Sequence, residues 1–350
     1  MSKGIGISKE QLSEDGEPCI LYGELYTKYK SEIIKQVESK TDINGSKLKR
    51  SKANDVIIPC SGETAVDIAT ARCVPFDNIL FGGDLNVISL HQYDGAFMSY
   101  QLNGKRKYDI ARVAQGVSIV HLYGEHLKAI KTYNPTLPEQ QKIAKLLSLL
   151  DDRIDTQNKI IEDLKKLKSA ISERLFKSVK GFTVLLSDLC DIVKGKQING
   201  ENLSDSGNYY VMNGGTEPSG YYDNYNVEAS TISISEGGNS CGYVQFNTSP
   251  FWSGGHCYSI QNIADKVDNM YLYHYLKSNE DAIMKLRIGS GLPNIQKKDL
   301  AMFKIIVPKI EWQIKISTFL SSLERKAEIE ERIQNVMQKQ KLYLLQQMFI

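Results

Sequence analysis

A long internal repeat is the feature that most constrains this chain. Shifted by 173 residues, residues 135–143 align with residues 308–316, and the match continues to Phe176 and Phe349. Solenoid repeats are only about 20–50 residues long. A repeat of this size can hold a domain followed by a long helix, so the sequence predicts two related modules that could bind two similar half-targets.

The composition limits the class of protein. With 350 residues, 41% of them apolar and 24% charged, two or three domains with substantial cores are expected. The net charge is only +2, so any nucleic-acid affinity must come from local basic patches. Six cysteines without a C-x-x-C pair indicate reduced thiols. We expect no membrane span and no signal peptide, and hence a cytoplasmic protein.

Two segments have the heptad spacing of coiled-coil helices. After Pro135 and Pro138, apolar residues recur at alternating intervals of four and three, and a weaker version follows Pro308. Pro138 suits the first turn of a helix, and Gly181 is expected to end it. The predicted seam consists of Ile143, Leu147, Leu150, Ile154, Ile161, Leu164, Ile171, Leu175, Ile316, Leu320, Leu323, Met337 and Leu344. We expect the helices to pair antiparallel within the chain, and pairing between two chains is the alternative.

The remaining sequence predicts two globular heads. The expected division is residues 1–134 for the first head, 135–178 for the first spacer helix, 179–307 for the second head and 308–350 for the second spacer helix. Both heads have short β-rich runs followed by glycine turns. The expected class is α+β, with two pseudo-symmetric globular domains separated by two long antiparallel coiled-coil helices.

Several motifs resemble those of the specificity subunit of type I restriction-modification enzymes. The resemblance covers nearly the whole chain and is carried by residues 137–143, 150–154, 213–215, 218–221 and 251–257. It implies a non-catalytic subunit without a cofactor, whose two target-recognition domains each bind half of a split site in double-stranded DNA. It also implies that the helices set the spacing and dock two methyltransferase subunits, which bind S-adenosylmethionine and recruit restriction and motor subunits.

The chain departs from the family pattern in three places. Glu311 and Trp312 replace the proline and glutamate of the first helix entry, and Glu236 follows a strand where the family often has a basic residue. The first head also begins late, because nothing in it aligns with residues 181–191. We therefore expect it to lack the strand and turn predicted at residues 182–189.

Both heads contain candidates for DNA contact. Cations on loops would bind phosphates, while amides and aromatic side chains would contact bases. The candidates are Lys28, Lys30, Lys47, Lys49, Arg50 and Lys52 in the first head and Lys194, Lys196, Gln197, Asn213, Tyr221, Tyr222 and Tyr225 in the second. The alternative is a solvated surface for each lysine and core packing for each tyrosine.

The outer faces of the helices are the expected docking surface for partner subunits, although a charged helix face is usually only solvated. The candidates there are Lys145, Arg153, Asn158 and Lys165.

The sequence predicts no catalytic residue and no metal site. It lacks a P-loop, a G-x-G-x-x-G motif and an aminomethyltransferase N-P-P-[YF] motif. His256 and Cys257 are adjacent without further ligand spacing, which favours a packed turn. Two other classes of function stay open: a coiled-coil scaffold with two protein-binding heads, and a stand-alone nuclease or methyltransferase.

Overall fold

The computed structural model describes residues 1–44, 47–289, 291 and 293–349. The chain divides into two compact units. Unit 1 consists of Met1–Lys159 and Glu331–Ile350, and unit 2 of Ile160–Glu330. Both divisions fall inside long helices, so each unit contains one head and a part of each long helix. The boundaries predicted from the sequence lie elsewhere, at the points where each head meets a long helix. They stay a prediction.

Unit 1 contains ten short strands and five short helices among its described residues. The strands are β1 Ser2–Lys3, β2 Glu17–Ile20, β3 Ser39–Thr41, β4 Lys49–Arg50, β5 Asp55–Pro59, β6 Ser61–Gly62, β7 Arg72–Val74, β8 Leu80–Phe81, β9 Leu85–Ile88 and β10 Val120–His121. The helices are α1 Glu24–Thr27, α2 Ala65–Ile68, α3 Gly95–Asn103, α4 Lys107–Arg112 and α5 Gly124–Lys128. They are followed by the long helix α6 Leu137–Ser178.

Unit 2 contains nine strands and three short helices among its described residues. The strands are β11 Phe182–Leu185, β12 Asp191–Lys194, β13 Tyr209–Met212, β14 Tyr221–Tyr222, β15 Thr231–Ser235, β16 Val244–Asn247, β17 Trp252–Ser253, β18 Cys257–Gln261 and β19 Lys304–Val307. The helices are α7 Asn269–Ser278, α8 Glu280–Met284 and α9 Lys297–Ala301. The second long helix, α10 Ile310–Gln347, follows β19.

The same antiparallel sheet forms in both units. Its strand order is β1-β9-β5-β7 in unit 1 and β12-β18-β15-β16 in unit 2. The register is also repeated, because Lys3 pairs with Asn86 and Lys194 pairs with Tyr258. The β-branched residues of β5 are fully buried, as expected of a strand covered on both faces.

The two long helices confirm the prediction from the heptads. Pro138 lies in the first turn of α6, where its missing N–H leaves no hydrogen bond unmade. Every predicted seam residue is buried or half-buried. No helix among the described residues is both long enough and apolar enough to cross a membrane.

Within each unit the long helices run antiparallel. In unit 1, Lys341 of α10 binds Asp151 of α6 at 2.7 Å. Gln334 lies seven residues before Lys341 and donates to Asn158, which lies seven residues after Asp151, so the two helices run in opposite directions. In unit 2 four seam residues from both helices share one core: Ile171, Leu175, Ile316 and Leu320. The α+β class with two repeated heads and antiparallel long helices is confirmed.

A partly buried ion pair repeats with the helices. Lys341 also binds Glu32 of the head at 2.6 Å. In unit 2, Lys168 of α6 binds Glu324 of α10 at 2.6 Å. The lysines are 173 positions apart, so each long helix supplies the lysine for one unit.

The strand predicted at residues 182–189 is confirmed as β11, followed by a 3-10 turn at Leu186–Asp188. It pairs antiparallel with β19, the strand that enters α10. In unit 1, residues 131–134 correspond to β19 in the repeat, and they form no strand.

Candidate nucleic-acid interface

A glycine allows two segments of unit 2 to approach closely. A Cβ atom on Gly195 would clash with the carbonyl oxygens of Ser253 and Gly254, so only glycine can occupy this position. The next residue, Lys196, donates its backbone N–H to the carbonyl of Ser253 at 2.9 Å. The lysines on both sides of Gly195 are therefore held beside the turn that begins at Gly254.

Unit 1 contains the same approach. A Cβ atom on Gly4 would clash with the carbonyl oxygen of Gly82, which begins the equivalent turn. Lys3 precedes Gly4 as Lys194 precedes Gly195, and both lysines are exposed. The repeat thus places one lysine–glycine pair beside one glycine turn in each head.

Predicted contact residues gather at the turn of unit 2. Asn213 accepts a hydrogen bond from the backbone N–H of His256 at 3.1 Å. Gln197 lies so close to Gly255 that a Cβ atom there would clash with its amide oxygen. Together with Lys194 and Lys196, these residues place two cations and two amides on one surface.

Aromatic side chains continue this surface. The predicted tyrosines lie on β14 or just after it: Tyr221, Tyr222 and Tyr225. The indole N–H of Trp252 donates to the carbonyl of Lys196 at 2.9 Å, and its ring meets that of Tyr222 edge-on at 5.1 Å. Tyr225 contacts Tyr209 with ring centres 4.9 Å apart. Half-exposed rings beside cations can stack on bases.

Glu236 lies beneath this surface and is only 7% exposed. Its Oε1 accepts hydrogen bonds from Lys194 Nζ at 2.7 Å and from the Tyr258 hydroxyl at 2.9 Å. Burial, together with the Glu236 carboxylate, raises the pKa of Tyr258, so its hydroxyl keeps the proton that it donates. The other carboxylate oxygen of Glu236, Oε2, is buried with no hydrogen-bond partner. His256 Nδ1 lies 3.9 Å from it.

The basic candidates of unit 1 fall into two groups. One group, Lys47, Lys49, Arg50 and Lys52, lies on or beside β4, which pairs with β8 next to the Gly82 turn. Arg50 forms a two-pronged ion pair with Glu17 at 2.6 and 2.9 Å, which holds the pKa of Glu17 below its ordinary value.

The other group, Lys28 and Lys30, lies beside α6. Both line a cavity of about 250 Å³ together with Lys35 and Asp155. Lys28 also binds Glu24 at 2.7 Å, which raises its pKa. The structure therefore does not bring these two lysines to β4.

The candidates for partner binding differ in exposure. Lys145, Arg153 and Lys165 are exposed, whereas Asn158 is half-buried and accepts a hydrogen bond from Gln334. Arg153 borders a cavity of about 410 Å³ that is lined by apolar residues of α10, among them Val336 and Met337.

Sequence reasoning missed Lys3, Trp252 and His256 as members of these surfaces. The signal that could have found them is the alignment of the Gly82 turn with the Gly254 turn, which points to the residues around both. Among the residues described, no group of three His, Cys, Asp or Glu side chains is arranged to hold a metal ion.

Two repeated heads, each with a lysine–glycine pair beside a glycine turn, together with two long helices define a protein built from two similar modules. The family model of the type I restriction modification DNA specificity domain matches residues 8–166 and 181–339. Because these matches cover most of the sequence, the chain belongs to the type I restriction-modification DNA specificity family.

Relatives and a solved structure agree with this family. A protein of Mycoplasma genitalium described as a candidate type I specificity subunit is 34% identical over 34% of this chain and 31% of its own length. The type I restriction enzyme MjaVIII specificity subunit of Methanocaldococcus jannaschii is 25% identical over 71% of this chain and 68% of its own length. The chain thus spans less than a third of the first relative. The crystal structure of a type I restriction-modification S subunit from M. genitalium matches with a TM-score of 0.68 and 20% identity, covering 100% of this chain and 93% of that one, and so has the same fold.

Proposed function

We propose that this chain binds double-stranded DNA and determines the target sequence of a type I restriction-modification complex. Each head would recognise one half of a bipartite site. The observation that carries the proposal is the surface around Gly254, where two lysines, two amides and a tryptophan–tyrosine pair meet. Cations supply phosphate contacts, and amides and rings supply contacts to bases.

The two heads suit two different half-sites. Their central sheets and lysine–glycine pairs are repeated, so both could present a glycine turn to the DNA backbone in the same way. The surrounding side chains differ, since unit 1 has the basic strand β4 and unit 2 has the tyrosines near β14. A shared frame with different contact residues is what recognition of two unlike half-sites requires.

We further propose that two methyltransferase subunits dock on the long helices and in turn recruit the restriction and motor subunits. The support is a set of exposed apolar residues that repeats at 173 positions. Unit 1 and unit 2 each hold one copy of the set, in the pairs Leu137 and Ile310, Leu146 and Phe319, and Ile333 and Ile160. Exposed apolar surface can form a contact with a partner, and two equal sets of exposed apolar residues suit two copies of one partner. The chain would do no chemistry itself, and S-adenosylmethionine would bind to the methyltransferase subunits.

Binding selection tests the DNA proposal. The chain, purified with its methyltransferase partner, should enrich from random duplexes a site of two short sequences with a constant spacer. Affinity for that site should fall steeply with salt, because lysine–phosphate contacts release counterions. Lys196→Gln should weaken binding and lower the salt slope by about one. Lys266→Gln, which changes an exposed lysine close to the start of α10, is the control.

A scaffold with protein-binding heads would give the opposite result. Sequence-blind binding, or a Lys196→Gln variant with unchanged affinity and salt slope, would exclude DNA recognition through this surface.

A further inference from the structure

The unpaired oxygen of Glu236 points to a function of the neighbouring histidine. Glu236 Oε1 is satisfied twice, by Lys194 and Tyr258, while Oε2 is buried without a hydrogen-bond partner. A buried carboxylate oxygen without a donor is costly, and such groups in native proteins call for an explanation. A donor that arrives in the functional state would supply it.

His256 is placed to be that donor. Its Nδ1 lies 3.9 Å from Glu236 Oε2, so a movement of roughly 1 Å would bring it into hydrogen-bond range. Its backbone is already fixed, because its N–H donates to Asn213 and its carbonyl accepts from the N–H of Glu236 at 2.9 Å. The side chain is 62% exposed, so the rest of the ring faces solvent.

We propose that His256 binds a DNA phosphate as an imidazolium ion held by Glu236. In this state Nδ1–H would donate to Glu236 Oε2, and Nε2–H would donate to a phosphate oxygen. This inference rests on the proposed DNA binding and adds to it a residue and a chemical consequence. One proton, taken from the buffer, joins the imidazole ring when the complex forms.

The charges around His256 support this state. Lys194 and Glu236 already neutralise each other at 2.7 Å, so a neutral histidine leaves little net charge at this point of the surface. Tyr258 donates to Glu236 and stays uncharged, and Asn213 is neutral. Protonation of His256 would add one positive charge between two anions, the carboxylate below and the phosphate above. Histidine ordinarily changes charge within the range of pH 5–8.

Unit 1 provides an internal comparison. There the N–H of Cys60 donates to the carbonyl of Asp84 at 2.7 Å, as that of Glu236 does to His256. Cys60 and Asp84 therefore occupy the equivalent positions, and neither can form an imidazolium. The proposed proton uptake belongs to unit 2 alone.

Affinity measured against pH tests the inference. The probe is a mixed-sequence duplex of about 30 base pairs at constant low salt, since phosphate contacts do not need the target sequence. The full chain should bind it at least about threefold more tightly at pH 6 than at pH 8, and by no more than about a hundredfold, because one coupled proton changes affinity by at most tenfold per pH unit. Calorimetric titration in two buffers of different ionisation enthalpy should detect uptake of up to one proton.

Two variants and a control separate the outcomes. His256→Gln should abolish the pH effect attributed to this site, and Glu236→Gln should reduce it, while both keep their thermal transition. His91→Gln removes an exposed histidine of unit 1 and should behave as wild type. If wild type and His256→Gln show the same dependence on pH, the inference is overturned although DNA binding stands. If the chain binds no duplex in a salt-dependent way at any pH, the proposed function itself fails.

Discussion

At the scale of single residues, a buried histidine makes the stability of unit 2 dependent on pH. His274 is 2% exposed on α7, and its Nε2 lies 2.9 Å from Ser321 Oγ. Burial lowers the pKa of His274 from 6.5 to about 4, while the nearby Glu324 carboxylate opposes this shift. The ring is therefore neutral in the folded protein and takes up a proton more readily when the protein unfolds.

We expect the resulting stability to be complete above about pH 6.5 and to be lost as the pH falls toward 4. The depressed pKa corresponds to about 3 kcal/mol over this range. Urea unfolding at pH 7 and pH 4.5 should show that wild type loses about 2–3 kcal/mol more than His274→Gln, which can still hydrogen-bond Ser321. Equal losses in both proteins would mean that His274 is already solvated or charged in the folded state.

At the scale of elements, a glutamine fixes each long helix to its head. Gln140 Oε1 accepts from the N–H of Asp94 at 2.9 Å, and its Nε2 donates to the carbonyl of Pro135 at 2.8 Å. Gln313, 173 positions later, makes the same two bonds to Asp268 and Pro308. This bond pattern explains why the glutamine persists in the second helix entry, where the neighbouring proline and glutamate have been replaced.

Loss of this glutamine should destabilise unit 1. Gln140→Ala leaves the partly buried N–H of Asp94 and the partly buried carbonyl of Pro135 without these partners, at a cost of about 1–3 kcal/mol in the free energy of unfolding. Its neighbour Gln141 is exposed, so Gln141→Ala is a matched control that we expect to change stability by less than about 0.5 kcal/mol. Indistinguishable chemical denaturation curves for the two variants would contradict the role assigned to Gln140.

The elements that the sequence predicts well are those set by local spacing. The heptads identify α6 and α10 because their period needs only neighbours along one helix. The heads are harder, since their strands pair over long separations, as Lys3 does with Asn86. The same limit applies to the site. Its lysines and amides can be named from their residue type, but the burial of Glu236 under Lys194 depends on the fold.

At the scale of the whole molecule, the repeat predicts the stoichiometry of assembly. Leu146 in unit 1 is 52% exposed and Phe319 in unit 2 is 46% exposed, and they are 173 positions apart. If each belongs to one of two equal docking surfaces, Leu146→Glu or Phe319→Glu alone should leave one methyltransferase subunit bound, and both together should leave none. A charge placed in an apolar contact has to be desolvated without a partner, which opposes binding.

Sedimentation of the reconstituted complex measures this stoichiometry directly. Leu342 is the matched control, because it is an apolar residue with similar exposure, 57%, whose counterpart in the repeat is the polar Ser169. Leu342→Glu should keep two subunits bound. Binding of two subunits to the double variant would place the docking surface elsewhere. Loss of both subunits from a single variant would show that the two surfaces act together, so that the repeat supplies halves of one interface and not two equal ones.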